Sequence, residues 1–151
     1  MSELNSMDGI LEFAIRQEEK AEAMYLRLAA KTDAGYMKQS LEEFAAEERR
    51  HKQVLQEIHQ QGGLRPSADQ IQDLGLAEML RDVDEQADMD YQQLLIFAMQ
   101  REKDAFRMYS ALAEIAQDST LRLTLQALAQ EEAKHKLRFE IEYDQTILTE
   151  G

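Results

Sequence analysis

Residues 41–51 read LEEFAAEERRH and residues 125–135 read LQALAQEEAKH, so that Glu-Glu-x-x-His recurs behind the same leucine after 84 positions. Sliding the chain against itself extends the match. Positions 10–52 lie over positions 94–136 without a gap and with fifteen identities, where chance at roughly 6 to 8% per site supplies about three. The pairs include Phe13 with Phe97, Ala14 with Ala98, Glu18 with Glu102, Ala21 with Ala105, Met24 with Met108, Tyr25 with Tyr109, and Leu28 with Leu112. Further along come Leu41 with Leu125, Ala45 with Ala129, Glu47 with Glu131, Glu48 with Glu132, and His51 with His135. The chain is a duplication of one unit.

Each unit reads as a pair of helices. Ser6 is placed to cap the first, and its counterpart Asp90 has Gln93 in capping-box position; these helices continue to about Lys31 and Ala116. The connections 33–35 and 117–119 are short and polar, which forces the next helix back along its predecessor. The second helix is expected from about Tyr36 to Gln61, stopped by Gly62, Gly63 and Pro66, and the fourth from about Thr120 to near Thr146. Hairpins at 6–61 and 90–148 are then joined by a crossover, 62–89, with a weak helical pattern around Leu76 to Val83. A helix of about 26 residues is roughly 39 Å long, and the crossover has chain enough to return along it. The expectation is an all-α four-helix bundle forming one domain, with the second helix parallel to the third.

Composition agrees and narrows function. Among 151 residues, 44% are apolar and 31% charged, with one proline and six glycines, so little interrupts the helical stretches. The net charge of −13 opposes nucleic-acid phosphates and anionic lipid, and no basic cluster offsets it. Most of these carboxylates are expected on solvated helix faces. With no cysteine in the chain, disulfides, thiolate metal sites and cysteine nucleophiles are excluded. Met1 to Asn5 has no basic start, and the longest apolar stretch, Leu94 to Met99, cannot span a bilayer; the expected location is the cytoplasm.

In steps of three and four, one face of the first helix reads Leu11, Ala14, Glu18, Ala21, Tyr25, Leu28. The third reads Leu95, Ala98, Glu102, Ala105, Tyr109, Leu112. The second gives Leu41, Phe44, Glu48, His51, Leu55, Ile58, and the fourth Leu125, Leu128, Glu132, His135, Phe139. Each apolar seam is interrupted once, near its middle, and helical spacing points all four interruptions inward at one level. A buried unpaired carboxylate costs several kcal/mol even after relaxation, and four would overwhelm a domain stable by about 5 to 15 kcal/mol. Arg and Lys fall at flanking positions such as Arg16, Lys20, Arg49, Arg50, Arg101, Lys103 and Lys134 rather than on the seams. Two divalent cations neutralise four carboxylates, and neutral imidazoles complete the coordination without adding charge. One Glu from each of two helices plus Glu-x-x-His from each of the others is the ligand pattern of di-iron and di-manganese bundles. The expected metal ligands are Glu18, Glu48, His51, Glu102, Glu132 and His135.

The segments AIRQEEKAEAMY (14–25) and AMQREKDAFRMY (98–109), followed by EERRH (47–51) and EEAKH (131–135), resemble the rubrerythrin-like branch of the ferritin-like di-iron superfamily over nearly the whole chain. The resemblance implies that Glu48 and Glu132 bridge two metal ions, most readily iron with zinc or manganese as alternatives, that Glu18 and Glu102 are terminal or bridging, and that His51 and His135 bind one ion each. It implies that Tyr25 and Tyr109 donate hydrogen bonds to ligand carboxylates across the bundle; read from the residues alone, they are equally well ordinary core tyrosines. Glu47 and Glu131, turned about 100° from the ligands, are expected as exposed charges, and His59 as a surface residue beside a helix C-terminus. Two departures from the family stand out. The chain lacks the cysteine-bound rubredoxin centre, so electrons require an external donor, and it has Ala105 where rubrerythrins place an additional glutamate. The implied activity is oxidation of iron or reduction of peroxide or dioxygen in a homodimer. The alternative is a non-catalytic protein for iron handling or one holding zinc or manganese structurally.

Overall fold

Ser6 opens the first helix, its hydroxyl accepting the Gly9 N–H at 3.0 Å, and α1 then runs Met7–Lys31. In this computed structural model, which describes residues 6–62, 64, 69, 70, 75, 80, 83, 85 and 88–150, three more long helices follow. They are α2 (Gly35–Gln61), α3 (Tyr91–Ile115) and α4 (Ser119–Glu150). Asp90 caps α3 reciprocally: its carboxylate accepts the Gln93 N–H at 2.8 Å, and the Gln93 side chain accepts the Asp90 N–H at 2.9 Å. Two orphan donors are thereby satisfied. The α2 helix ends at Gly62, whose φ of 61° is the left-handed conformation a glycine adopts without a Cβ clash.

Two helix starts differ slightly from expectation. Asp118 accepts the Thr120 N–H at 2.8 Å, an N-terminal anchor that lets α4 begin at Ser119, and α4 persists to Glu150 rather than stopping near Thr146. The α2 helix begins one residue early, at Gly35. Gly63, Pro66 and the weak pattern around Leu76 to Val83 lie outside the described residues, apart from Leu80 and Val83 themselves.

Side-chain pairs fix the helix directions. Glu19 meets Lys52 and Glu22 meets Arg49, so moving forward along α1 moves backward along α2. Tyr25 bonds Glu102 and Glu18 bonds Tyr109, making α1 antiparallel to α3. Arg50 with Glu131 and Glu47 with His135 make α2 antiparallel to α4. It follows that α2 and α3 are parallel, the arrangement a long crossover produces.

The seams are buried as spaced apart from the half-buried Phe44 and Ala105, and they form two apolar blocks. One gathers Ile10, Leu11, Leu55, Leu112, Leu125 and Leu128; the other gathers Met24, Leu28, Met37, Leu41, Leu95 and Phe139. On every helix the charged interruption falls between the parts that feed these blocks. Each fully buried Leu, Ile, Phe or Met stabilises the bundle by about 1.5 to 3 kcal/mol, so two substantial cores clamp one polar layer. Among the described residues no helix is long and apolar enough to cross a membrane.

Candidate metal centre

All six expected ligands lie in that layer, each at most 2% exposed. The outer oxygens of the two seam glutamates are held by hydrogen bonds across the bundle: Tyr25 donates to Oε1 of Glu102, and Tyr109 donates to Oε1 of Glu18. The inner oxygens, Oε2 of both residues, have no hydrogen-bond partner. Neither do Oε1 of Glu48, Oε1 of Glu132, Nδ1 of His51 and Nδ1 of His135. One unpartnered atom from each of six buried residues therefore faces the same interior, where a buried orphan polar atom is otherwise rare and costly.

These atoms are spaced like ligands of shared ions. His51 Nδ1 lies 3.1 Å from Glu132 Oε1 and 3.6 Å from both Glu48 Oε1 and Glu18 Oε2. His135 Nδ1 lies 3.2 Å from Glu48 Oε1, 3.3 Å from Glu102 Oε2 and 3.7 Å from Glu132 Oε1. Donors each about 2.0–2.2 Å from one ion stand roughly 3 to 3.5 Å apart, close to what is seen. Two quartets with ligand atoms within 4.8 Å of one another result: Glu18, Glu48, His51, Glu132 and Glu48, Glu102, Glu132, His135. Glu48 and Glu132 belong to both quartets. Oxygen and imidazole donors suit iron, manganese and zinc alike.

Electrostatics demand positive charge at this point. Burial, reinforced by Glu48, pushes the Glu18 carboxyl well above the ordinary range, and burial with Glu102 and Glu18 does the same to Glu132. Burial followed by Glu132 carries Glu48 up to about 7, and burial raises Glu102. For His51, burial opposes the charge, yet Glu18 and Glu48 prevail and raise it. His135, against the same opposition, is pushed up to about 12 by Glu102 and Glu48. Every net shift among these six residues retains protons, which offset the buried negative charge as a bound cation would.

Glu47 and Glu131 correct an expectation. Both are half-buried rather than freely exposed, and each faces a histidine across the α2–α4 interface: Glu47 Oε2 is 2.5 Å from His135 Nε2, and Glu131 Oε1 is 3.4 Å from His51 Nε2. For His135 the Glu47 carboxylate hydrogen-bonds Nε2, the contact that turns Nδ1 toward the cluster, whereas His51 Nε2 has Glu131 beside it as a charge without a hydrogen bond. Arg50 bonds the same Glu131 oxygen and, with His51, holds that carboxyl below the usual range against the opposing effect of burial. The repeat had marked both residues through the identity of Glu47 and Glu131; their 100° offset simply faces a neighbouring helix instead of water.

Other polar residues fall elsewhere. His59 is half-buried near the end of α2, its Nε2 3.4 Å from Asp8, and outside the cluster. The sequence reading missed Glu142, which is buried and accepts hydrogen bonds from the Tyr91 hydroxyl at 2.9 Å and the Tyr36 hydroxyl at 3.3 Å. One more step of three along the α4 seam from Phe139 reaches Glu142, a signal of burial that was available, although its tyrosine partners come from helix starts distant in sequence.

A four-helix bundle whose interior gathers four glutamates and two histidines defines the class of carboxylate-rich metal bundles. The rubrerythrin family model matches residues 9–143, and the chain belongs to that family. Among solved structures it is similar to a ferritin-like diiron-carboxylate protein from Thermotoga maritima, with a TM-score of 0.72 and 20% identity over 92% of this chain and 95% of that one. At that identity the likeness speaks for the fold. Comparison with curated proteins gives no match.

Proposed function

We propose that the chain binds two iron ions through Glu18, Glu48, His51, Glu102, Glu132 and His135, and that the ferrous pair is oxidised by peroxide or dioxygen. The observation that carries this reading is the set of six unpartnered, inward-turned atoms, one on each of these residues. Bound ferrous ions supply two electrons together, the number needed to cleave an O–O bond. The protein's part is to hold their ligands. Tyr25 and Tyr109 fix the glutamates of the opposite hairpin by one oxygen, leaving the other oxygen for an ion. Glu47 orients His135 through Nε2 so that Nδ1 is turned to the ion, and Glu131 supplies negative charge beside His51. The two apolar blocks flank the layer and lower the dielectric around it, strengthening the charge interactions within.

The reading places the protein in the cytoplasm as a homodimer, with an external donor restoring the ferrous state. Its test is to load the protein anaerobically with ferrous iron, add hydrogen peroxide or dioxygen, and follow ferric absorbance. Oxidation faster than that of free ferrous iron, lost in Glu48→Ala and His135→Ala, is expected. Two tightly held ions with no acceleration would overturn the redox reading in favour of metal storage or a structural role.

A further inference from the structure

A cavity of about 150 Å³ opens between α1 and α3 on the flank of the metal layer. At its inner end are Glu18, Glu48, Glu102 and Glu132; at its outer end is Val83 of the crossover, which is 53% exposed. The space therefore connects the cluster to the surface. Its apolar wall is Phe13, Phe97, Met108 and Leu80, with Gln17, Gln100, Arg101 and Asp104 lining the polar remainder, and the small side chains of Ala21 and Ala105 in the turn after each seam glutamate leave the space open. Ala105 is only half-buried, although the same seam position in α1, Ala21, is 5% exposed. The third-helix alanine opens onto the cavity, where a longer side chain would fill it.

Size and lining both bear on what enters. By this measure of volume a water needs about 10–15 Å³, and an apolar cavity of about 150 Å³ accepts benzene. Hydrogen peroxide, two oxygens with strong hydrogen-bonding needs, uses neither the room nor the apolar wall. A long acyl chain is too large.

We infer that this cavity is a substrate pocket for an organic hydroperoxide, ROOH, in which R is a benzene-sized aryl or branched alkyl group seated against Phe13, Phe97 and Met108 and the neutral peroxy group reaches the metal layer. The inference rests on the redox reading above. In the reaction the O–O bond breaks, two ferrous ions are each oxidised by one electron, and two protons from solvent complete an alcohol, ROH, and water.

Binding is read first without redox chemistry, in zinc-loaded protein, using 2-phenyl-2-propanol, the alcohol formed from cumene hydroperoxide. Saturable binding that shifts the methyl resonances of Ala21 and Ala105 is expected. Ala105→Leu should weaken it at least tenfold while two zinc ions remain bound. In ferrous-loaded protein, Ala105→Leu should slow oxidation by cumene hydroperoxide at least tenfold and by hydrogen peroxide less than threefold. Val83→Trp, at the exposed mouth, should slow the organic substrate selectively by threefold or more, and it carries the test if Ala105→Leu does not fold. No saturable binding in the zinc protein, or equal slowing of both peroxides, overturns the pocket. Intact binding of the alcohol with oxidation by neither peroxide overturns the redox reading, and with it the assignment of a hydroperoxide, while retaining an apolar ligand pocket.

Discussion

Stripped of metal, this protein should become less stable as pH rises, the reverse of ordinary acid denaturation. Glu48 carries the clearest share: its carboxyl ionises near 4.5 in an open chain and is carried up to about 7 in the bundle by burial and by Glu132. Between those values the folded state holds a proton that the unfolded state has released, so stability falls with pH throughout the interval. At about 1.4 kcal/mol per pH unit the loss is roughly 3 kcal/mol by pH 8. That is a large fraction of the 5 to 15 kcal/mol typical of a domain. The histidines act in the same direction. His51 and His135 are raised above 6.5, so their contribution is full below that value and declines as pH climbs toward the folded values, about 12 for His135. For a chain of this length 1 kcal/mol moves Tm by about 2–4 °C, and since about 2.5 kcal/mol of the loss falls between pH 5 and pH 8, the fall over that interval is about 5–10 °C for Glu48 alone. Chelator-treated protein followed by circular dichroism at both pH values measures it. Glu48→Gln, which cannot ionise, should flatten the slope and exceed the wild type in stability at pH 8, while failing to hold two ions. Added metal should reverse the trend, because ions displace the protons and bind best where carboxylates are charged. A metal-free midpoint that is flat or rises from pH 5 to pH 8, or an unchanged slope in Glu48→Gln, would refute the account.

Three other outcomes are expected. Tyr109→Phe removes the donor to Glu18 and should lower stability by about 1–3 kcal/mol, read from urea midpoints; Tyr25→Phe should match it through Glu102, and an unchanged midpoint in either would deny the cross-bundle bond. Glu47→Ala should weaken binding of one of two metal ions by about 10–100-fold in calorimetric titration, and equal affinities for wild type and variant would argue that His135 needs no carboxylate behind it. Asp90→Ala breaks the capping box of α3 at a cost of about 0.5–2 kcal/mol, with metal stoichiometry unaltered; loss of metal instead would mean that the cap positions the site.

Most of the architecture was legible because it obeys helical spacing. Glu18, Glu102 and the two Glu-x-x-His pairs fall on faces whose other members are apolar, and that periodicity survives folding since each seam needs a core to bury it. Helix ends were legible where a side chain announces them, as at Ser6 and Asp90, and less so at Ser119, where the cap is an Asp118 inside an apparently continuous polar turn. What one helix cannot reveal is which residues another helix will face. Glu47, Glu131 and Glu142 looked like solvated charges because their partners, two histidines and two tyrosines, arrive only through tertiary packing. The cavity was visible only as Ala105; a missing side chain becomes a space when the surrounding walls are known.

The supports of the site are exchanged between the halves. Tyr25 of the first hairpin secures Glu102 of the second and Tyr109 secures Glu18, while Glu47 stands behind His135 and Glu131 behind His51. Neither half thus carries the props for its own ligands, and a change in one is felt at its sibling's end of the site. The paired tyrosines and paired glutamates are identical in a chain whose two halves differ at most other aligned positions, so each half offers its sibling the same kind of prop that it receives.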